Sequence, residues 1–336
     1  MADKSLHISY ISNPDLKTIK DGYAGNKLVG NQFANGDAVY APKLKQVLKW
    51  QLSPNPQRDE KKKDNFVPPV VQDVSFLKTQ DDVVVWLGHA SFFIRINGIS
   101  ILTDPVLFNP PLLKRKPPLP FPPQELKNID YILLSHGHYD HLDKTTLKLL
   151  YQNNPNVQVL APLRLGNVIR KYCPGIRLQE AGWWQQFLLP ANLNLDIYFL
   201  PARHWYRRHF YDINTTLWGS FLLKTGTTSL YFAGDTSWRN DFEEIQELLG
   251  PPQYCLLPIG AYKPSFLMQE SHLNPEEAVT AFNQLKGQFF IPMHFGTFDL
   301  SDEPPGEPLR LLEQYAADNK LNGKLLAPAI GEVVFL

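Results

Sequence analysis

The segment from His136 to His141 holds three of the nine histidines of this chain, with Asp140 between the second and the third. It follows the apolar run from Tyr131 to Leu134, which predicts a short buried strand, so the cluster stands where a strand ends. Imidazole and carboxylate groups are the ligands that borderline divalent metals prefer. Their density here predicts a metal site, although the same residues could be exposed loop positions ahead of a helix.

The spacing within this cluster favours two metal ions rather than one. His136 and His138 point one way from the turn, while Asp140 and His141 lie further round it. A single strand-end turn cannot easily aim all four side chains at one ion. We therefore expect two ions side by side, each completed by ligands from elsewhere in the chain.

The composition is that of a large globular protein. The chain has 336 residues, 43% of them hydrophobic, and a formal net charge of zero. Such a neutral chain is not a general polyanion binder, so no nucleic-acid partner is expected. The two cysteines, Cys173 and Cys255, form no disulfide framework. The first residues are polar and no apolar run of about 18 residues occurs, which predicts a reducing, cytoplasmic location.

The composition and pattern of the sequence change near residue 80. Residues 1–80 are irregular and rich in Gly, Asn and Pro, and we predict an N-terminal extension packed on the core. Within it, Leu44, Val47, Leu48 and Leu52 have helical spacing and predict a short amphipathic helix. From residue 81 to 336 strands and helices alternate, which predicts one α/β domain.

Further candidate ligands lie at other predicted strand ends. A hairpin around Asn97-Gly98 ends in Asp104, which is either a turn former or an acid that orients a metal-bound histidine. His204, Asp235 and His294 each follow an apolar run, although a lone histidine is more often structural. Two metals about 3.5–4 Å apart would share a hydroxide that is nucleophilic near neutral pH. A carboxylate can bridge both ions, and Asp235 is the natural candidate.

Two basic stretches invite further interpretation. Lys114, Arg115 and Lys116 stand in a proline-rich segment with apolar neighbours and could touch an anionic lipid surface. A rigid loop that covers part of the sheet is the favoured alternative. Arg208 could bind a phosphate, although surface arginines are commonly just solvated. Together with Tyr139, it is assigned to substrate binding.

The motifs resemble a known family. The series His136-x-His138-x-Asp140-His141, His204, Asp235 and His294 is similar to the signature of the metallo-β-lactamase fold superfamily, and Asp104 matches its first motif. The flanking motifs resemble the phospholipases D that hydrolyse N-acyl-phosphatidylethanolamine, over about residues 83–300. They include Trp86-Leu87-Gly88-His89-Ala90, Phe232-Ala233-Gly234-Asp235-Thr236 and His294-Phe295-Gly296-Thr297-Phe298.

The resemblance implies a fold and a ligand set. The fold would be a four-layer αββα sandwich with the site at one edge. The ligands would be divided between two zinc ions, with Mn²⁺ or Fe as alternatives. One ion would take His136, His138 and His204, the other Asp140, His141 and His294, and Asp235 would bridge them. Gly137 differs from the residue that the phospholipases have there, which should not disturb ligation.

The resemblance also implies an activity. A bridging hydroxide would attack phosphorus in an N-acyl-phosphatidylethanolamine-like lipid, and Asp140, Asp235 and His272 would be catalytic, with His272 assisting proton transfer. Asp104 and His89 would support the ligands, although His89 could equally be a buried structural histidine. The alternative is a sugar-phosphate lactonase, similar to ascorbate-6-phosphate lactonase, or another hydrolase of this fold. Expected partners are a small-molecule or phospholipid substrate, a peripheral membrane contact and a second copy in a homodimer.

Overall fold

A computed structural model describes residues 7–36, 39–239 and 241–336. Its strands are β1 (Ile8–Ile11), β2 (Lys17–Thr18), β3 (Asn26–Val29), β4 (Gln32–Phe33), β5 (Val83–Gly88), β6 (Ser91–Ile96), β7 (Ile99–Thr103), β8 (Tyr131–Leu133), β9 (Gln158–Pro162), β10 (Arg177–Ala181), β11 (Gln185–Gln186), β12 (Asp196–Leu200), β13 (Ser220–Lys224), β14 (Ser229–Phe232), β15 (Tyr254–Pro258), β16 (Phe289–Met293), β17 (Lys324–Leu325) and β18 (Val333–Phe335).

The helices connect these strands. They are α1 (Leu44–Leu52), α2 (Arg58–Lys63), α3 (Lys144–Asn153), α4 (Gly166–Tyr172), α5 (Asp241–Leu249), α6 (Ser265–Met268), α7 (Pro275–Leu285) and α8 (Glu307–Ala317). Short 3-10 turns occupy Ser75–Lys78, Pro123–Glu125 and Ala191–Leu193. Within the described ranges, no helix is both long and apolar enough to cross a membrane.

Two large sheets form the body of the protein. The first has seven strands in the order β10-β9-β8-β7-β6-β5-β18, and the second has eight in the order β17-β16-β15-β14-β13-β12-β11-β2. Apolar side chains of both sheets join in one buried core, where the rings of Trp86 and Phe295 stack at 5.1 Å. Helices flank the sheets, and the predicted αββα sandwich of the metallo-β-lactamase fold is confirmed.

Both sheets change from antiparallel to parallel pairing part of the way across. In the first, β5, β6 and β7 pair antiparallel, and β7 to β10 pair parallel. In the second, β12, β13 and β14 pair antiparallel, and β14 to β17 pair parallel. The carboxyl ends of β12, β14 and β16 therefore lie at one edge, as do those of β7 and β8. Sites on α/β sheets form at such edges.

Local sequence signals set several of these elements. Asn97 and Gly98 have φ angles of 51° and 73°, as the predicted tight hairpin between β6 and β7 requires. The Asn274 side chain accepts a hydrogen bond from the Glu277 amide at 3.0 Å, and Glu277 accepts one from the Asn274 amide. This capping box, with Pro275 in the first turn, begins α7 where the sequence predicts it.

The first part of the chain is joined to the body in several places. Strand β2 pairs with β11 at the edge of the second sheet, while β1, β3 and β4 form a small separate sheet. Asp64, after α2, pairs with Arg310 of α8 at 2.8 Å. Helix α1 forms where the leucine spacing predicts it, but Leu44 and Leu52 are 71% and 84% exposed. The division of the chain at residue 80 stays a prediction.

Candidate metal centre

Three histidine nitrogens form the first group of candidate ligand atoms. Nε2 of His136 lies 2.9 Å from Nδ1 of His138, which lies 3.0 Å from Nε2 of His204. Two nitrogens bound to one zinc at about 2.0–2.1 Å in a tetrahedral arrangement lie roughly 3.3 Å apart. The three atoms therefore have the spacing of ligands to one ion, although His204 comes from a strand end far along the chain.

A second group lies beside the first. Oδ2 of Asp140 is 3.6 Å from Nε2 of His141 and 3.7 Å from Nε2 of His294. His141 follows β8 of the first sheet, and His294 follows β16 of the second. The two sheets thus each supply ligands to this group, which the sandwich brings together at one edge.

Asp235 connects the two groups. Its Oδ2 atom lies 3.2 Å from Nε2 of His141, and 3.9 and 3.8 Å from the corresponding atoms of His136 and His204. Its Oδ1 atom lies 3.1 Å from Nε2 of His294. One carboxylate therefore faces both groups of ligand atoms, which is the position of a bridging ligand.

The donor set fits metal ions. The Nε2 atoms of His141 and His294 and the Oδ1 atom of Asp235 are buried, and although they lie at ion-pair distances from one another, none of them makes a hydrogen bond of good geometry. A buried polar atom without a partner is costly, because its interaction with water is lost and not replaced. A cation between these atoms would satisfy them together. Imidazole and carboxylate donors suit zinc, iron and manganese alike, so the cluster is able to bind metal without selecting one of the three.

The protonation states of the histidines differ between the groups. Burial lowers the pKa of His136 and His204 well below the usual value, so both rings are neutral and can offer a lone pair. Burial opposes a charge on His294 too, but Asp235 and Asp140 outweigh it and raise its pKa to about 9. The same carboxylates raise the pKa of His141 well above its usual value. The second group thus holds the protons that a metal would displace.

The Asp104 carboxylate holds one candidate ligand directly and another through Ser135. Its Oδ2 atom lies 2.7 Å from Nδ1 of His141, and its Oδ1 atom accepts a hydrogen bond from the Ser135 amide at 2.7 Å. The Ser135 hydroxyl donates to the same carboxylate and lies 2.9 Å from Nδ1 of His136. Such outer partners fix the ring orientation of a metal-binding histidine. The structure thus places Asp104 where it can orient one ligand from each group.

His89 supports Asp140. Its Nε2 atom lies 3.0 Å from Oδ2 of Asp140, and its amide donates to the Thr297 hydroxyl at 2.8 Å. His89, Asp104 and His294 have φ angles of 54°, 33° and 64°, in the left-handed region that costs energy for residues other than glycine. Strained backbone at three residues of one cluster indicates that the surrounding structure holds the site in a defined geometry.

The other predicted site residues lie around this cluster. Nδ1 of His272 is 3.8 Å from Oδ2 of Asp235, and the His272 ring lines a cavity of about 470 Å³. The Arg208 guanidinium lies 3.8 Å from the centre of the Tyr139 ring and donates to the carbonyl oxygens of Gly137 and Leu142, at 2.7 and 3.0 Å. These contacts hold the loop of the histidine cluster. The predicted binding of substrate by Arg208 and Tyr139 stays a prediction.

Sequence reasoning missed two supporting groups. Ser135 contacts both Asp104 and His136, and its place directly before His136 was an available signal. The carbonyl oxygen of Ser271 lies 2.9 Å from Nδ1 of His204, a contact without any side-chain signature. Gly137 also proves restrictive, because an added Cβ would lie 2.5 Å from Cε2 of Tyr206. A larger residue at this position would therefore require movement of Tyr206.

Comparison with known proteins defines the class. The model of the beta-lactamase superfamily domain matches residues 100–295, which include every candidate ligand. The solved structure of a possible metal-dependent hydrolase from Veillonella parvula covers 76% of this chain and all of its own, with a TM-score of 0.62 and 14% identity. The chain belongs to the metallo-β-lactamase fold superfamily, and it is a metal-dependent hydrolase.

Two curated relatives are more specific. The N-acyl-phosphatidylethanolamine-hydrolyzing phospholipase D 1 of Caenorhabditis elegans is 30% identical over 274 residues, or 76% of each chain. The mitochondrial N-acyl-phosphatidylethanolamine-hydrolyzing phospholipase D of Saccharomyces cerevisiae is 33% identical over 259 residues, or 74% of this chain and 54% of its own. The resemblance that the sequence motifs carry is thus confirmed as a relationship over most of the chain.

Proposed function

We propose that the protein is a dinuclear zinc phosphodiesterase of the phospholipase D type, acting on N-acyl-phosphatidylethanolamine-like lipids. The observation that carries the dinuclear part is the position of Asp235, whose carboxylate faces both groups of candidate ligands. The names of the worm and yeast relatives support the substrate class.

The ligands divide as the geometry groups them. One ion would be held by His136, His138 and His204, and the other by Asp140, His141 and His294, with Asp235 shared. When bound, two divalent ions supply a nucleophile at neutral pH and stabilise the charge that develops on a phosphoryl oxygen. Asp104 and His89 keep a histidine and a carboxylate of the second group in place.

His272 is the residue that we assign to the leaving group. It is half-buried beside Asp235, and its Nδ1 atom is buried without a hydrogen-bond partner. Its ring also borders the cavity of about 470 Å³, so it stands between the ligand cluster and the space where a substrate would lie. From this position the imidazole, once it has taken up a proton from water, can pass that proton to the departing alkoxide oxygen and return to its neutral form.

The cavity beside His272 suits a substrate with apolar and polar parts. Pro56, Tyr262 and Pro264 contribute apolar surface, while the other lining residues are polar and include Lys263 and the carboxylates of Glu277 and Asp302. Nζ of Lys263 already lies 2.6 Å from Oε1 of Glu307, which neutralises much of its charge. The cavity is therefore neither a fully charged cup nor a purely apolar channel. This mixture fits a lipid headgroup with the start of its chains.

A product analysis tests the proposal. Metal-loaded protein is incubated with an N-acylated phosphatidylethanolamine in mixed micelles in ¹⁸O-water, and the products are identified by mass spectrometry. We expect phosphatidic acid that carries the label, because attack at phosphorus transfers the water oxygen to the phosphate. His294→Ala should abolish the product, while Asp196→Asn, at the exposed start of β12, serves as control. Cleavage of simple phosphodiesters or lactones without any phospholipid turnover would overturn the lipid assignment.

A further inference from the structure

Helix α1 carries its leucines on the face that points away from the protein. Leu44, Leu48 and Leu52 are 71%, 45% and 84% exposed. Their spacing of four residues places them in one row along the helix. A helix that packs on a core has the opposite arrangement, with polar residues outside. The row, here called the leucine row, is therefore an apolar face without a partner among the described residues.

The opposite face of α1 holds the helix in this orientation. Nε1 of Trp50 donates to Oδ1 of Asp302 at 3.0 Å, and Nε2 of Gln46 donates to the Phe266 carbonyl oxygen at 3.4 Å. Rotating the helix to bury its leucines would break both contacts. The exposure of the leucine row is thus part of the folded structure, and a stable exposed apolar face usually marks an interaction site.

The charged residues of α1 and of the turn before it are all positive. Lys43, Lys45 and Lys49 are exposed on or beside α1, and no acidic residue occurs between Tyr40 and Leu52. A short helix with leucines on one side and lysines along them has the pattern of a segment that lies in a membrane interface. The lysines would meet anionic headgroups while the leucines enter the acyl boundary.

The position of α1 links this face to the active site. The chain that follows α1 supplies Asn55 and Gln57 to the wall of the cavity beside His272, and Ser265 of α6 lines the same cavity. Helices α1 and α6 are in contact, with Nζ of Lys49 4.6 Å from the centre of the Phe266 ring. We propose that the leucine row docks on an anionic lipid surface and so brings this cavity to the membrane. The proposal rests on the proposed phospholipase function.

A second copy of the chain fits this face less well. A two-fold contact through the leucine row would bring the lysines of both copies into one interface, and α1 supplies no carboxylate to balance them. The row also spans only nine residues, about 14 Å, whereas a stable interface buries roughly 800 Å² on each partner. Charge and size both favour lipid.

The basic loop that the sequence suggested for lipid contact is less suited to it. The Arg115 guanidinium turns inward and donates to the carbonyl oxygens of Val106 and Pro117, at 3.2 and 3.1 Å. Nζ of Lys116 lies 3.8 Å from Oδ2 of Asp299. Two of the three cations in this loop thus contact polar groups of the protein. The lysines beside the leucine row are exposed, and Lys49 contacts only the ring of Phe266 among the contacts described for them.

Sedimentation with vesicles tests the proposal on the full-length, metal-loaded protein. The vesicles contain phosphatidylcholine alone or phosphatidylcholine with 30 mol% phosphatidylglycerol, a composition set to give a strongly anionic surface. We expect the wild type to sediment with the anionic vesicles. The variant Leu44→Gln/Leu48→Gln/Leu52→Gln should bind at least about tenfold more weakly, because glutamine keeps the helix and removes the apolar row. Leu188→Gln, at a leucine that is 59% exposed elsewhere, should bind as the wild type does.

The possible results distinguish docking on lipid from contact with a second copy of the chain. Equal vesicle binding by the triple variant and the wild type would overturn the proposal, as would a wild type that stays in the supernatant. A wild-type dimer that the triple variant abolishes, without vesicle binding, would assign the leucine row to a second copy instead. Melting temperature and metal content show that the variants are folded. Vesicle binding without any phosphodiester hydrolysis would leave the docking surface standing and overturn the proposed function alone.

Discussion

Oδ1 of Asp235 lies 3.1 Å from Nε2 of His294, while its other oxygen faces the histidines of the first group. Asp235→Asn should therefore disturb both groups, whereas His204→Ala should weaken mainly one. We expect the metal content to fall from about two ions per chain towards none in Asp235→Asn, and towards one in His204→Ala. Mass spectrometric metal analysis after exhaustive dialysis distinguishes the two, with Asp196→Asn as control. Loss of the same single ion in both variants would contradict a shared ligand.

Asp104 should act through His141 rather than on substrate. Asp104→Asn removes the carboxylate that faces Nδ1 of His141 at 2.7 Å, and loss of such an outer partner costs about 10–100-fold in metal affinity or activity. Competition with a coloured zinc chelator measures the affinity. Ser135→Ala should give a smaller loss in the same direction, because the backbone amide of residue 135 still binds the carboxylate. Unchanged metal affinity in Asp104→Asn would show that Asp104 is only a turn former.

Metal removal should lower stability. The buried Nε2 atoms of His141 and His294 and the Oδ1 atom of Asp235 make no hydrogen bond of good geometry without a cation. Binding to the folded state alone at about 1,000 times Kd contributes roughly 4 kcal/mol, so dialysis against chelator should lower Tm by on the order of 5–10 °C. Differential scanning calorimetry before and after zinc is added back measures this. An unchanged Tm in metal-free protein would mean that these atoms hold no ion.

The sequence predicted the fold and the family correctly because their signals are local. Apolar runs that end in His136, Asp235 or His294 are visible without a structure, and the pairing of strands at one edge brings such residues together. The Asn97-Gly98 turn and the α7 capping box are likewise encoded by adjacent residues.

What the sequence could not predict depends on partners distant in the chain. The leucines of α1 have helical spacing, but only the contacts of Trp50 and Gln46 with residues more than 200 positions away turn them to solvent. The structural role of Arg208 could not be predicted from the sequence either, because its partners are the carbonyl oxygens of a loop about 70 residues earlier. Spacing patterns carry no information on contacts of this kind.

Arg208 gives a prediction that separates two roles. A residue that binds phosphate should matter only for phosphate-bearing substrates. A residue that holds the loop through Gly137 and Leu142 should matter for all of them. We expect Arg208→Gln to lower kcat/KM equally for a phosphodiester and a neutral ester, and to lower the free energy of unfolding by about 2 kcal/mol. Arg207→Gln is the matched control. A loss confined to the phosphodiester would restore the phosphate-binding role.

Gly260 should tolerate no side chain. A Cβ atom at this position would lie 2.1 Å from the carbonyl oxygen of His294, so the backbone of that ligand would have to move. Overpacking of this kind costs about 1–3 kcal/mol, and here it should also weaken metal binding. Gly226→Ala is the control, since its nearest neighbour would be 4.0 Å away. Denaturant unfolding and metal analysis of Gly260→Ala measure both effects, and wild-type values would refute the steric argument.

Anomalous diffraction shows directly whether the ligands are divided between two ions. Crystals of protein prepared without chelator and loaded with zinc are measured above and below the zinc edge. We expect two anomalous peaks, one among His136, His138 and His204, the other among Asp140, His141 and His294, with the Asp235 carboxylate between them. A single peak shared by both groups would contradict the division between two ions. So would the absence of any peak in crystals saturated with zinc.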